Sequence, residues 1–276
     1  MSLERHASLA YLDEGPRDAD VVVLLHGWPT SSFLWRRLTP LLATRFRVLV
    51  PELVAGGLRA QADAVEGFLA RLGVERFAAV GHAHGGGVAQ LLAFDGAGVD
   101  ALVLIDSVAF DQAPPEDLDP RSFLERGSVE FSFLTEEELE GYARAPFRFP
   151  PDLGGALVGR EDEMAAWDFP IFLLWGEEDP YLPVSLAERL CDAMPASTLG
   201  VVPDSGHFLL DDAFDSVGML IHEYLRARYL GAPHGHEGIV MLQLERRPPG
   251  ADLTEYEQDE GDPSPPAADQ EVGPLA

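Results

Sequence analysis

Lysine is absent from this 276-residue sequence, and arginine supplies all 19 of its basic residues. The absence excludes reactions that need a lysine amine, such as Schiff-base formation, and phosphate-binding loops of the Walker type. Cysteine is almost absent as well, because Cys191 is the only one. A lone cysteine excludes an internal disulfide and a cysteine-based metal cage. It is typical of a reducing compartment, so we expect a cytoplasmic protein.

Positive charge is scarce, because 19 basic residues stand against 47 acidic ones, for a formal net charge of −28. Nucleic acids and anionic membranes both need cationic groups to neutralise phosphate, so this balance excludes them as partners. No run of 18 apolar residues occurs, and residues 1–10 lack an apolar signal core. We expect a small-molecule substrate as the partner, no metal or other cofactor, and a monomer or homodimer.

Short apolar runs alternate with segments of helical periodicity along much of the chain. The continuous run at 21–25 is typical of a strand that is buried on both faces. This alternation predicts an α/β fold, with a mostly parallel central sheet flanked by helices. The predicted strands are 21–25, 46–50, 77–80, 101–105, 171–175 and 198–202, and the predicted helices are 60–72, 86–94, 185–194 and 214–229.

Changes in composition divide the chain into three parts. Residues 1–106 and 169–231 carry the alternating pattern and form the predicted core. Residues 107–168 are irregular, rich in proline and acidic groups, and are predicted to form a short cap insertion. Residues 232–276 form an acidic tail that we expect to be largely disordered, with a possible extra strand at 238–244.

Glycines and histidines follow several of the predicted strands. Gly81 and Gly85 lie two residues on either side of Ala83, between a predicted strand and a predicted helix. Glycines at this spacing let the backbone make a sharp turn that lifts the central side chain above the edge of the sheet. Asp179 follows the predicted strand at 171–175 and His207 follows the one at 198–202, so the order along the chain is the turn at Ala83 (the elbow), then the acid, then the histidine.

These motifs resemble the α/β-hydrolase fold family over roughly residues 5–230. The resemblance implies that Ala83 occupies the nucleophile position, that Asp179 orients the imidazole, and that His207 is the general base. It also implies an oxyanion hole formed by the backbone N–H groups of Trp28 and His84. The side chains expected to contact substrate are Trp28, His84, Tyr142 and Phe208.

Alanine has no nucleophilic atom, so the covalent mechanism of the family cannot run on this chain. The alanine is either an introduced replacement of Ser or Asp or a natural loss. Residues 81–90 and 103–111 are most similar to the branch with haloalkane dehalogenases and epoxide hydrolases, where aspartate is usual; esterases carry serine. His84 replaces the tryptophan that a dehalogenase uses to hold halide, and Tyr142 is the candidate for the cap tyrosine of an epoxide hydrolase.

Three functions therefore remain open. The first is a hydrolase acting on a small apolar ester, epoxide or halide, inactive or altered in this chain because of Ala83. The second is a non-hydrolytic enzyme of the lyase or cofactor-free oxygenase type, in which His207 and Asp179 move protons. The third is a ligand-binding protein that keeps the fold without catalysis.

Overall fold

The computed structural model describes residues 4–6, 9–53, 56–112, 155–230 and 238–241. The strands in this part are β1 Glu4–His6, β2 Leu9–Glu14, β3 Val21–Leu25, β4 Arg47–Pro51, β5 Phe77–His82, β6 Val99–Ile105, β7 Ile171–Gly176, β8 Ser197–Val202 and β9 Gly238–Met241. The helices are α1 Leu38–Leu42, α2 Leu58–Arg71, α3 His84–Phe94, α4 Glu161–Met164, α5 Val184–Ala193, α6 Leu209–Asp212 and α7 Phe214–Leu230, with a 3₁₀ turn at Ser32–Trp35.

The described strands form one sheet in the order β1-β2-β4-β3-β5-β6-β7-β8-β9. The pairs β1–β2 and β2–β4 are antiparallel, and every other neighbouring pair is parallel. The predicted fold class is therefore confirmed. Because β3, β5, β6, β7 and β8 run parallel side by side, the chain segments that follow them emerge at the same edge of the sheet.

Alternate residues of the central strands contribute to two hydrophobic cores, one on each face of the sheet. Val23 and Leu25 belong to the core that includes α2, α3 and α5. Val22 and Leu24 belong to the core that includes α1 and α7. Each such side chain, fully removed from water, contributes about 1.5–3 kcal/mol, which explains why β3 is apolar at every position.

The two antiparallel strands β1 and β2 are not among the strands predicted from the sequence. In β2, Leu9 and Tyr11 lie in one core and Leu12 in the other, but the strand then ends on Asp13 and Glu14. The Asp13 carboxylate accepts hydrogen bonds from Arg47 of β4, with nitrogen–oxygen distances of 3.1 and 2.8 Å. The ion pair lets Asp13 lie within the sheet. Asp13 itself interrupts the apolar pattern from which a strand would be predicted.

The described ends of the predicted cap insertion pack into the sheet's core. Val108 and Phe110 at one end, and Leu157 and Met164 at the other, are buried in the cluster that contains α2 and α3. Residues 113–154, which make up the rest of the predicted cap, lie outside the described residues.

The predicted tail is described only at β9, which falls within 238–244 and pairs in parallel with β8. The rest of 232–276 lies outside the described residues. No helix in the described ranges combines the length and apolarity needed to cross a bilayer.

Candidate active site

The turn between β5 and α3 is an elbow centred on Ala83. Ala83 has φ 50° and ψ −117°, a backbone conformation that side chains rarely adopt and that costs on the order of 1–3 kcal/mol. The elbow brings two glycines into close contact with other main chain. A Cβ on Gly81 would lie 2.5 Å from the carbonyl oxygen of Gly85, and a Cβ on Gly85 would lie 2.1 Å from that of Leu25. Glycine is therefore required at both positions.

The segment that follows β3 lies directly on the elbow. A Cβ on Gly27 would be 2.8 Å from the Cβ of Ala83, so these two stretches of backbone are in contact. Trp28 is the next residue after Gly27, and His84 is the first residue of α3. The residues predicted to form the oxyanion hole are thus chain neighbours of the two positions, Gly27 and Ala83, that are in contact.

The side chains of Asp179 and His207 meet at the same edge of the sheet. Nδ1 of His207 donates to Oδ2 of Asp179 at 2.7 Å, and both side chains are fully buried. Oδ1 of Asp179 accepts from the backbone N–H groups of Tyr181 and Leu182, at 2.8 and 3.0 Å. A carboxylate held in this way fixes the imidazole tautomer with its proton on Nδ1, so Nε2 carries the lone pair that can accept a proton.

His82 joins this pair to the elbow. Nε2 of His82 donates to the backbone carbonyl of His207 at 2.8 Å, and the two rings are 4.8 Å apart between centroids. Burial, followed by the nearby His207 and His26, lowers the pKa of His82 well below its usual value, so the ring is neutral. Because His82 immediately precedes Ala83, the contact places the Asp179–His207 pair beside the elbow.

The other residues predicted to contact substrate are differently placed. Phe208 is buried against the rings of His82 and His207, at 5.5 and 5.2 Å between centroids, and belongs to the core with α1 and α7. Burial lowers the pKa of His84 to about 3, so this ring is neutral at physiological pH. Trp28 is buried. Tyr142 lies outside the described residues.

Asp106 is a site residue that the sequence analysis missed. It directly follows β6, has φ 40°, and is fully buried. Its Oδ1 accepts from the backbone N–H of Gly176 at 2.9 Å. Burial, and then the neighbouring Asp179, raises the pKa of this carboxyl well above its usual value. The sequence signal for Asp106 is a polar residue next to the end of a buried apolar strand. His82, which ends β5 just before the elbow, shows the same signal.

A strained residue between a parallel strand and a helix, with an aspartate and a histidine supplied by the following strands, defines an α/β-hydrolase type of site. The sequence comparisons agree. The model of the alpha/beta hydrolase family matches residues 22–217, and the chain belongs to that family. The family resemblance stated from the motifs is confirmed.

Curated relatives cover the chain to different extents. The magnesium-chelatase 30 kDa subunit of Rhodobacter capsulatus is 26% identical over 262 residues, covering 78% of this chain and 89% of the relative. Haloalkane dehalogenase 2 of Mycobacterium tuberculosis is 24% identical over 260 residues, covering 77% and 90%. The cis-3-alkyl-4-alkyloxetan-2-one decarboxylase of Xanthomonas campestris is 46% identical over only 56 residues, which are 20% of this chain and 19% of the relative.

Solved structures share the fold. Haloalkane dehalogenase DbeA from Bradyrhizobium elkani superposes with a TM-score of 0.71 at 22% identity, covering 83% of this chain and 99% of that one. A meta-cleavage product hydrolase from Pseudomonas fluorescens gives a TM-score of 0.68 at 23% identity, covering 79% and 94%.

Proposed function

We propose that this protein is an α/β-hydrolase family enzyme in which His207, oriented by Asp179, acts as a general base without a covalent enzyme intermediate. The observation that carries the proposal is the buried 2.7 Å contact between His207 and Asp179, which persists beside an elbow without a nucleophilic atom. A buried ionisable pair is costly to maintain, and the packing of the sheet does not need it. Its presence favours a chemical role over a purely structural one.

The proposed reaction uses a water molecule where relatives use a side chain. Nε2 of His207 takes a proton from water while the water oxygen bonds to the electrophilic carbon of the substrate. In an ester or lactone the π electrons of the carbonyl move to its oxygen, where backbone N–H groups of Trp28 and His84 would stabilise the charge, each by about 3 kcal/mol. When the carbonyl re-forms, the bond to the leaving oxygen breaks and the imidazolium gives that oxygen its proton; in an epoxide the ring oxygen takes both the electrons of the breaking bond and the proton. In a haloalkane the halide leaves with the electron pair and the imidazolium releases its proton to solvent, and in each case Asp179 stays ionised.

The proposed substrate is a small, mainly apolar molecule with an electrophilic carbon bonded to oxygen or halogen. Besides the dehalogenase and the decarboxylase, the similar proteins include a soluble epoxide hydrolase of Corynebacterium, 35% identical over 98 residues that are 32% of this chain and 34% of the relative. A strained ring or an activated ester suits the site, because attack by water without a covalent intermediate needs a reactive electrophile. We therefore include esters, lactones, epoxides and haloalkanes in the test panel.

The test compares the wild-type protein with His207→Gln and with His222→Gln, a matched change on α7. We expect slow turnover of at least one member of the panel, a loss of roughly 10²-fold or more in His207→Gln, and no loss in His222→Gln. Equal rates in all three proteins would contradict a base role for His207. Binding of a panel member without turnover in any of them would favour the ligand-binding alternative.

A second arm tests whether position 83 is the nucleophile position. Ala83→Ser should acquire hydrolysis of esters, and Ala83→Asp should acquire hydrolysis of epoxides or haloalkanes. Combined with His207→Gln, the Ala83→Asp variant should accumulate a covalent adduct on residue 83, detectable by intact mass, because an ionised aspartate attacks without a base whereas water in the second step needs one. The Ala83→Ser variant should instead lose its activity with His207→Gln, because serine needs the imidazole to take its hydroxyl proton. If the restored variants fold yet neither reacts, the assignment of position 83 is wrong.

A further inference from the structure

The carboxyl groups of Asp106 and Asp179 form a buried acidic pair, of which Asp179 is the member that contacts His207. Asp106 directly follows β6 and Asp179 follows the adjacent strand β7, and both side chains are fully buried. The pKa of Asp106 is raised first by burial and then by Asp179, with a smaller effect from Asp212. The ionised groups that act on Asp106 are thus both acidic. Two carboxylates in contact, away from water, cannot both be ionised without a large cost.

The hydrogen bonds of the two carboxyl groups indicate which one holds a proton. Asp179 accepts three N–H bonds, from His207, Tyr181 and Leu182, and each of them stabilises its charged form. Asp106 accepts one, from Gly176 to Oδ1. Among the described residues no donor reaches the buried Oδ2 of Asp106. An acceptor oxygen left in this state is satisfied if it carries a proton and donates it instead.

We propose that Asp106 holds a proton at neutral pH and donates it in a hydrogen bond to Asp179, which makes Asp106 a positioning residue for the Asp179–His207 pair. The acidic pair then carries a single negative charge, located on the carboxylate that His207 contacts. That charge is the counterion for the imidazolium form of His207. The positioning role rests on the proposed function, whereas the location of the proton does not.

Proton uptake on folding gives a test that needs no substrate. A carboxyl group that is protonated in the folded state and ionised in the unfolded state makes the wild-type protein lose stability as pH rises from about 4 toward the folded-state pKa. Asp106→Asn keeps the donor and the acceptor but binds no proton. The ratio of the wild-type unfolding constant to that of Asp106→Asn should therefore rise tenfold per pH unit between pH 5 and 7.

The control is Asp18→Asn, which removes one negative charge at an exposed position in the turn between β2 and β3. The ratio of the wild-type unfolding constant to that of Asp18→Asn should be independent of pH over the same range. A ratio for Asp106→Asn that is equally flat would show that Asp106 is ionised in the folded protein and would overturn the proposal.

NMR spectroscopy tests the proposal without depending on the folding of that variant. In a side-chain ¹³C titration of the wild-type protein, one aspartate carboxyl resonance should keep its protonated position at pH 7; its absence would overturn the proposal. The positioning role predicts that the Nδ1 proton resonance of His207 is retained in Asp106→Asn and shifted in Asp106→Ala. An unchanged resonance in both variants would leave Asp106 without influence on His207. Absent turnover in the substrate panel would refute the proposed function alone.

Discussion

Gly85→Ala should distort the elbow and destabilise the protein. The added Cβ would lie 2.1 Å from the carbonyl oxygen of Leu25 and 2.5 Å from that of His26. Both atoms belong to backbone, so they cannot rotate away as the end of a side chain can. The main chain of β3 or α3 must move by roughly 1 Å or more to restore ordinary contacts. Such overpacking costs about 1–3 kcal/mol, and we expect a value in the upper half of that range.

The assay is urea-induced unfolding of Gly85→Ala against the matched substitution Gly67→Ala. Gly67 lies inside α2, where the new Cβ would meet only the guanidinium of Arg71 at an ordinary 3.4 Å. Alanine is the better helix former by about 1 kcal/mol, so Gly67→Ala should raise the free energy of unfolding while Gly85→Ala lowers it. A loss below about 0.5 kcal/mol in Gly85→Ala would refute the close packing of the elbow.

Two further predictions concern residues 83 and 84. Ala83→Gly should raise the free energy of unfolding by about 1 kcal/mol, because glycine adopts the positive φ without strain, and the greater chain entropy of glycine cancels only part of this gain. Urea titration measures the change, and a lower free energy of unfolding would contradict the prediction. His84 has its pKa lowered to about 3, so below about pH 6 the unfolded state binds a proton that the folded state does not, and acid destabilises the protein. His84→Leu should remove this effect and become more stable relative to wild type by about 1.4 kcal/mol per pH unit between pH 6 and 4.5; a constant difference would show that His84 protonates in the folded state.

The sequence predicts the central strands well because their apolar runs are continuous. The predicted strand at 21–25 coincides with β3, and the predicted helix at 214–229 ends one residue before α7 does. Burial of β3 on both faces leaves no polar position in the strand, so its apolar run is unbroken. At the elbow, the sequence places the helix start at residue 86, whereas α3 begins at His84. Glycine weakens the helical signal there, although packing against β3 requires it.

The parts of the site that the sequence does not predict depend on contacts between strands that are far apart along the chain but adjacent in the sheet. Asp179 and His207 could be paired from sequence because each lies in a recognisable motif. Asp106 has no motif of its own, and its meaning comes from the adjacency of β6 and β7, which brings its carboxyl group to Asp179 and to the N–H of Gly176. Strand order is a tertiary property, so a polar residue after a strand shows its role only once its neighbour is known.

The shape of the elbow does not depend on the side chain at position 83. The contacts at Gly81 and Gly85, and the close approach of Gly27, set the course of the main chain there. The residue they surround can therefore be exchanged while the fold is retained. In evolutionary terms, the side chain at this position can change without affecting whether the chain folds. Under the proposed function, a single codon change at position 83 adds or removes a covalent step while the fold is kept.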